Sequence, residues 1–270
     1  MDPLQALLLA LVQGITEFLP ISSSAPLILP ARILGWPDQG LAFDVAVHLG
    51  SLLAVLVALR RDVLAIVGGT LRAGAEGRMN AELRLGLLVI LGTLPVIAAG
   101  LALKDLVETS LRSVAVIATT TVVFGLLLGW ADRREVRAPA AAARTETDLG
   151  VRDALLIGLA QCLALVPGTS RSGITMTAGL LLGLSRGACA RFSFLLSIPT
   201  IAGAAVLALK DLLDAPGAVD WSALGVGFLA SAIAAWACIR FFLDLVDRVG
   251  FMPFVIYRLV LGTLLFALLL

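Results

Sequence analysis

Pro167–Thr175 reads PGTSRSGIT, and it interrupts a sequence that is otherwise almost wholly apolar. Leu155 to Val166 precede it, and Met176 to Leu184 follow it. A charged side chain at bilayer depth costs at least a few kcal/mol unless it faces protein or water. Pro and Gly at that depth free backbone groups that need partners, so such a break is tolerated only where it lines a cavity. Arg171 can fork two hydrogen bonds onto a phosphate. Hydroxyls of Ser170, Ser172 and Thr175, with the free amides of a restarting helix, add anion donors. The stretch therefore predicts an anion site inside a membrane protein; a polar kink packed on a neighbouring helix is the plainer reading.

The rest of the chain supports that setting. Of its 270 residues, 60% are hydrophobic and 14% charged, and the mean hydropathy is +1.03. Soluble domains carry about 25% charged residues, so the expected class is an all-α polytopic membrane protein. A net charge of +1 gives no field that suggests nucleic acid as a partner. Cys162, Cys189 and Cys238 lie in or beside apolar segments, without disulfide or metal spacing. The N-terminal MDPLQALLLALVQG lacks the basic region of a secretory signal and is expected to belong to the fold.

A second polar break precedes the first span. Pro3 to Gln13 is apolar but too short to cross a bilayer, which takes about 20 residues. It runs into ITEFLPISSSAP, with Glu17, Pro20, Ser22, Ser23 and Ser24, and then a short apolar piece, Leu27 to Leu34. This predicts a re-entrant hairpin. Spans are expected at Leu41–Leu59, Leu85–Leu103 and Val114–Trp130, with a basic loop after the first and a polar turn from Lys104 to Arg112. The polar, Ala-rich stretch 131–150 reads as a linker. Beyond it come the PGTSRSGIT hairpin and spans at Phe192–Leu209, Ser222–Leu243 and Phe251–Leu270, with an acidic turn from Lys210 to Trp221.

The two parts, 1–130 and 151–270, look like repeats. LLLALVQGITEFLPISSSA aligns with LLIGLAQCLALVPGTSRSG without a gap, placing Gln13 opposite Gln161 and Ser23 opposite Arg171; Pro167 falls opposite Leu19, one place from Pro20. A hairpin and three spans in each half predict inverted-topology repeats, a plan common in transporters. One side of this topology collects fourteen arginines, among them Arg60, Arg61, Arg191 and Arg240; the other holds Arg32, Lys104, Arg112 and Lys210. The positive-inside rule then puts both termini outside and lets the breaks meet within the membrane.

Together the breaks would supply Gln13, Glu17, Ser22, Ser23 and Ser24 from one side, and Ser170, Arg171, Ser172 and Thr175 from the other. Gln13 and Glu17, four apart, share a helix face. A carboxylate there can hold a divalent cation or act as a general base. A nearby Ser could attack phosphorus, with Arg171 neutralising the phosphoryl oxygens. Structural pairing of Glu17 with Arg171, and turn bonds for Ser22 and Ser24, are the plainer alternatives.

QGITEFLPISSSA resembles the first motif of the undecaprenyl-diphosphate phosphatase, or bacitracin-resistance, family: an (E/Q)xxxE helix followed by FLPxSS. PGTSRSGIT resembles its second motif, PGxSRSxxT, and FDVAVHLGSLLAVL, RFSFLLSIPTIAG and PFVIYRLVLG are similar to further family segments. The resemblance covers essentially the whole chain. It implies hydrolysis of an undecaprenyl (polyprenyl) diphosphate to the monophosphate, with a divalent cation such as Mg2+ or Ca2+. The setting it implies is the bacterial inner membrane, with membrane lipids around the chain and a homodimer as one oligomeric option.

By this resemblance Glu17 is the catalytic acid, Ser23 the nucleophile and Arg171 the phosphate-binding arginine; Glu17 is also the candidate metal ligand. Ser22, Ser24, Ser170, Ser172, Thr175 and Gln13 surround the phosphate. Two positions depart from the family pattern: Gln13 replaces the leading acid, as in some members, and Pro26 stands where a His is usual. Pro cannot move a proton, so Glu17 becomes the expected base, with His48, four residues after Asp44, as a substitute if its span faces the site. Arg258, in the last span, must face inward and is expected to pair structurally. A polyprenyl-phosphate transporter or flippase with weak or no hydrolysis is the competing function.

Overall fold

The computed structural model describes residues 2–22, 36, 40–111, 113–137, 144–214 and 220–269. Ser23, Ser24, Pro26 and the short apolar piece 27–34 lie outside them. Ten α-helices lie among the described residues. These are α1 (Pro3–Phe18), α2 (Gly40–Ala58), α3 (Arg60–Glu76), α4 (Ala81–Ser110), α5 (Val114–Arg137), α6 (Val151–Cys162), α7 (Arg171–Leu181), α8 (Arg186–Asp214), α9 (Trp221–Val249) and α10 (Met252–Ala267). Five of them, α2, α4, α5, α8 and α9, are long and apolar enough to cross a membrane. Their outward faces carry side chains such as Val206, Ile233 and Phe241, each about two-thirds exposed (68%, 67% and 67%). An apolar surface of that extent is at home against lipid, and the chain is a multi-pass membrane protein.

The helices overrun several expected boundaries. α1 continues past Gln13 to Phe18, which puts Glu17 on its last turn. The expected basic loop is instead α3, a 17-residue helix closed by Gly77 in the left-handed region at φ 64. It packs on α4, where Asn80 caps the next helix with its side-chain oxygen and donates its amide to Gly69 O at 2.7 Å. α4 absorbs most of the Lys104–Arg112 turn, and α8 runs into the acidic turn as far as Asp214. α10 is shorter than expected: 16 residues rise about 24 Å, less than a hydrocarbon core of about 30 Å.

The stretch read as a linker starts as the end of α5. From Arg144 it is stitched to the second hairpin: Arg144 N–H donates to Gly183 O at 3.0 Å and Ser185 N–H donates to Arg144 O at 2.9 Å. Leu149 is fully buried, and its carbonyl accepts from Arg84 at 2.8 Å. The Arg144 guanidinium bonds Asp153 at the start of α6, and this contact holds the Asp153 carboxyl below the usual carboxylate range.

Each half leans on the other. α1 and α2 pack on α9, α6 packs on α4, and α5 packs on α10. Close approach depends on small residues: a Cβ at Gly158 of α6 would strike the Gly92 carbonyl of α4. A chain of rings crosses the core from α1 to α10. Phe18 meets Phe194 edge-on at 5.4 Å, Phe194 meets Phe242 at 5.8 Å, and Phe242 meets Phe254 at 5.3 Å. This apolar spine ends at Phe18, one residue from Glu17.

Candidate functional site

The two breaks differ in how they stop a helix. α1 ends when Leu19 turns extended, with ψ 148, just before Pro20. Its last turn presents Glu17 and, one turn back, Gln13. α6 ends at Cys162, and a single 3-10 turn, Leu163–Leu165, leads to Pro167. Gly168 then takes φ 91, and a Cβ there would strike Thr120 Oγ1 and the Ile117 carbonyl. Ser170 is the one described non-glycine residue with positive φ, at 70. Such a conformation costs of order 1–3 kcal/mol and persists only where its surroundings hold it. Ser170 is held as the N-cap of α7, its Oγ accepting from Gly173 N–H at 3.2 Å. The positive end of the α7 dipole therefore lies at the break, beside Arg171.

The breaks meet. Arg171 Nη2 donates to Glu17 Oε1 at 2.9 Å, and Ser172 Oγ donates to the Leu19 carbonyl at 2.7 Å. The Glu17 and Arg171 side chains are only 11% and 12% exposed. Arg171 is also braced by the Ser193 carbonyl at 3.3 Å and by the Phe18 ring, 5.8 Å beneath the guanidinium carbon. A guanidinium has five N–H donors; the described residues take two of them.

Gln13 is fully buried and holds the other Glu17 oxygen: its Nε2 donates to Oε2 at 2.9 Å. The same amide nitrogen lies 3.1 Å from His48 Nε2. His48 Nδ1 lies 2.7 Å from the Asp44 carbonyl, which can only accept. The proton therefore sits on Nδ1, and Nε2 accepts the second N–H of Gln13. His48 Nε2 is 4.0 Å from Glu17 Oε2, so its span does face the site. That face is fixed by Ser231 of α9, which donates to the Val47 carbonyl at 2.7 Å and meets Ser51 Oγ at 3.0 Å.

The remaining sequence candidates occupy distinct places. Ser22 is buried, and its Oγ has no partner among the described residues. Ser170 and Ser172 hydroxyls are 3.3 Å apart at the break. Thr175 lies deeper, bonding the Arg171 and Ser172 carbonyls and the Ser193 hydroxyl at 2.7 Å. In this arrangement it braces the backbone that carries Arg171.

Ser193 and the Thr120–Thr121 pair escaped the sequence reading. Thr120 Oγ1 donates to the Pro167 carbonyl at 2.6 Å, and Thr121 Oγ1 to the Gly168 carbonyl at 3.3 Å. A polar pair on an apolar helix was the available signal.

Arg258 is fully buried, and no carboxylate among the described residues pairs with it. Its guanidinium donates to the carbonyls of Thr121 (3.1 Å), Gly168 (3.0 Å), Pro20 (3.4 Å) and Thr120 (3.4 Å). One side chain thus ties both breaks to α5.

Among the described residues no group of three or more His, Cys, Asp or Glu could hold a metal ion alone. The oxygen donors present nevertheless suit a hard divalent cation. The two Glu17 hydrogen bonds leave carboxylate lone pairs free. Gln13 Oε1 is buried without a partner among the described residues. Mg2+ characteristically takes one or two carboxylates and completes its shell with substrate phosphates and water.

Comparison with known proteins identifies a family. The family model described as bacitracin resistance protein BacA matches residues 6–264. The undecaprenyl-diphosphatase of Alcanivorax borkumensis is 58% identical over 262 residues, 97% of each chain. The undecaprenyl-diphosphatase of Chromohalobacter salexigens is 55% identical over 265 residues, 98% of each chain. The undecaprenyl-diphosphatase 2 of Stutzerimonas stutzeri is 55% identical over 268 residues, 99% of this chain and 98% of its own. With motifs, fold and full-length identity in agreement, the chain belongs to the bacitracin resistance protein BacA family.

Proposed function

We propose that this membrane protein is an undecaprenyl-diphosphatase, hydrolysing the lipid diphosphate to the monophosphate and phosphate, and that Glu17 and Arg171 form its reaction centre. Full-length relatives at 55–58% identity carry that name. The observation that carries the site is the Glu17–Arg171 contact, made across 154 positions of sequence. A carboxylate and a guanidinium are costly in an apolar interior unless they have work or each other. Here each keeps unused hydrogen-bonding capacity.

In this reading Arg171 and the α7 N-terminus take the terminal phosphoryl oxygens, supported by Ser170 and Ser172. Ser23 attacks the terminal phosphorus while Glu17 accepts the hydroxyl proton. The bond to the bridging oxygen breaks, the polyprenyl monophosphate leaves, and water then cleaves the phosphoserine to release phosphate. Gln13 orients Glu17, and His48 fixes Gln13. A divalent cation, Mg2+ or Ca2+, held by Glu17 and Gln13 Oε1 would neutralise charge on the diphosphate. The repeats are inverted in this reading. The protein lies in the bacterial inner membrane with both termini outside, so the carrier lipid is recycled at the outer face.

The relatives' names do not favour the transporter or flippase alternative. Phosphate release from a C15 or C55 diphosphate by the purified protein, with and without a chelator, tests the proposal. Release that the chelator stops is expected. No release with any divalent cation would return the chain to the transporter reading.

A further inference from the structure

A cavity of about 540 Å3 opens where the apolar helices α2, α8 and α9 meet the start of α3. It shares no residue with the Glu17–Arg171 site. Arg60, Arg61, Arg191 and Arg240 line it, against only Asp62 and Asp244. Four guanidiniums and two carboxylates leave two positive charges. Arg191 is partly answered by Asp62 at 3.5 Å. Arg60, Arg61 and Arg240 have no hydrogen-bond or ion-pair partner among the described residues.

The setting selects the kind of anion. The cavity lies where the α2 span ends, at Ala58, and where charged residues first enter the α8 and α9 spans. Its remaining wall is Ala58, Leu59 and Leu243. Next to Arg240, Phe241 is 67% exposed on the outer face. Guanidiniums beside an outward apolar surface suit a ligand with an anionic head and an acyl tail. Basic pockets between membrane helices bind acidic lipid head groups in this manner, and the volume is in the range of small-ligand sites. Arginine forks suit phosphate oxygens better than a point charge would.

We propose that this cavity binds the phosphate of an anionic phospholipid, away from the reaction centre. The side with most arginines carries it, which the positive-inside reading makes cytoplasmic.

The test is a native mass spectrometry titration of the purified full chain in neutral detergent. The probes are phosphatidylglycerol, phosphatidylcholine and inorganic phosphate. Wild type should retain phosphatidylglycerol over phosphatidylcholine, and the double variant Arg60→Gln/Arg240→Gln should bind it about 30-fold more weakly, near fivefold per charge. A control pair with the same charge change on the outer part of α3 and its loop, Arg72→Gln/Arg78→Gln, should bind as wild type does. Asp244→Asn, which removes a negative charge from the cavity and opens no void, should tighten binding. Equal weakening in the control pair would show diffuse surface attraction and overturn the site. Unchanged binding in the cavity pair, or weaker binding in Asp244→Asn, would also overturn it. Inorganic phosphate binding as tightly as phosphatidylglycerol would refute the lipid assignment.

Discussion

Arg171 and Arg258 are both guanidiniums inside an apolar helix bundle, and they are satisfied in opposite ways. Among the described residues Arg171 meets a carboxylate, one carbonyl and a ring face, and three of its N–H donors have no partner there. Arg258 meets four carbonyls, two of them from the two breaks and two from α5, and is fully buried. The first arrangement leaves a paired charge where the two breaks meet. The second spreads a charge over the backbone dipoles that the breaks set free, which is how irregular backbone survives at bilayer depth. One arginine pairs with a carboxylate where the breaks meet; the other holds the backbone of both breaks.

This contrast can be broken from the Arg171 side first. Glu17→Gln keeps the size of the side chain but removes its charge and its ability to take a proton. Phosphate release should fall by about 10²–10⁴, and the melting temperature should fall as well, because Arg171 loses its carboxylate partner. A variant that keeps its rate would remove Glu17 from the chemistry.

From the other side, Arg258→Leu should unfold more readily: the Pro20 carbonyl loses its donor, and the Gly168, Thr120 and Thr121 carbonyls each lose one of two. An unsatisfied buried acceptor costs about 1–3 kcal/mol, so a loss of about that size is expected, read as a fall in melting temperature. Arg258→Lys should recover part of the stability without the full fork. An Arg258→Leu protein as stable as wild type would mean that the breaks do not depend on this residue.

His48→Ala probes the support of the Glu17 face. If His48 only fixes Gln13, as the Nδ1 proton pattern indicates, kcat should fall about tenfold, as when an outer support of a site is removed. A loss of about 10²–10⁴ in His48→Ala, with Glu17→Gln keeping its rate, would make His48 the base.

The smallest effect lies outside the five span-length helices. Arg144 holds the Asp153 carboxyl low, so the folded protein binds that proton less readily than the unfolded chain. The resulting stabilisation is complete above the unfolded pKa near 3.8 and vanishes as pH falls through the lowered folded value. Asp153→Asn should cost about 1 kcal/mol at neutral pH and flatten this acid limb of a thermal-stability profile. An unchanged limb would assign it to other carboxylates.

Both breaks were legible in the sequence because Pro, Gly and hydroxyl residues have no other reason to interrupt apolar helices. Gln13, Glu17 and Arg171 could be picked out because each is polar in such a setting. The basic loop that proved to be α3 was not legible: RRDVLAIVGGTLRAGAE has Gly68, Gly69 and five charged residues. Its helix is stabilised by packing on α4, where Gly69 sits against Glu82. Helix ends were misjudged where polar residues were read as turns, as at Lys104, since a helix can run on past the apolar stretch. The partners of Arg258 are carbonyls, which leave no mark in a sequence.

The central claim is that the two breaks build one phosphate site, and a double-mutant cycle of Glu17→Gln and Arg171→Lys tests it most directly. Arg171→Lys keeps the charge but loses the fork, and should lower phosphate release by about 10²–10³. Residues that act as a unit are strongly non-additive. The account predicts that the double variant is hardly slower than the slower single variant. Losses that simply multiply would show two independent sites and contradict it.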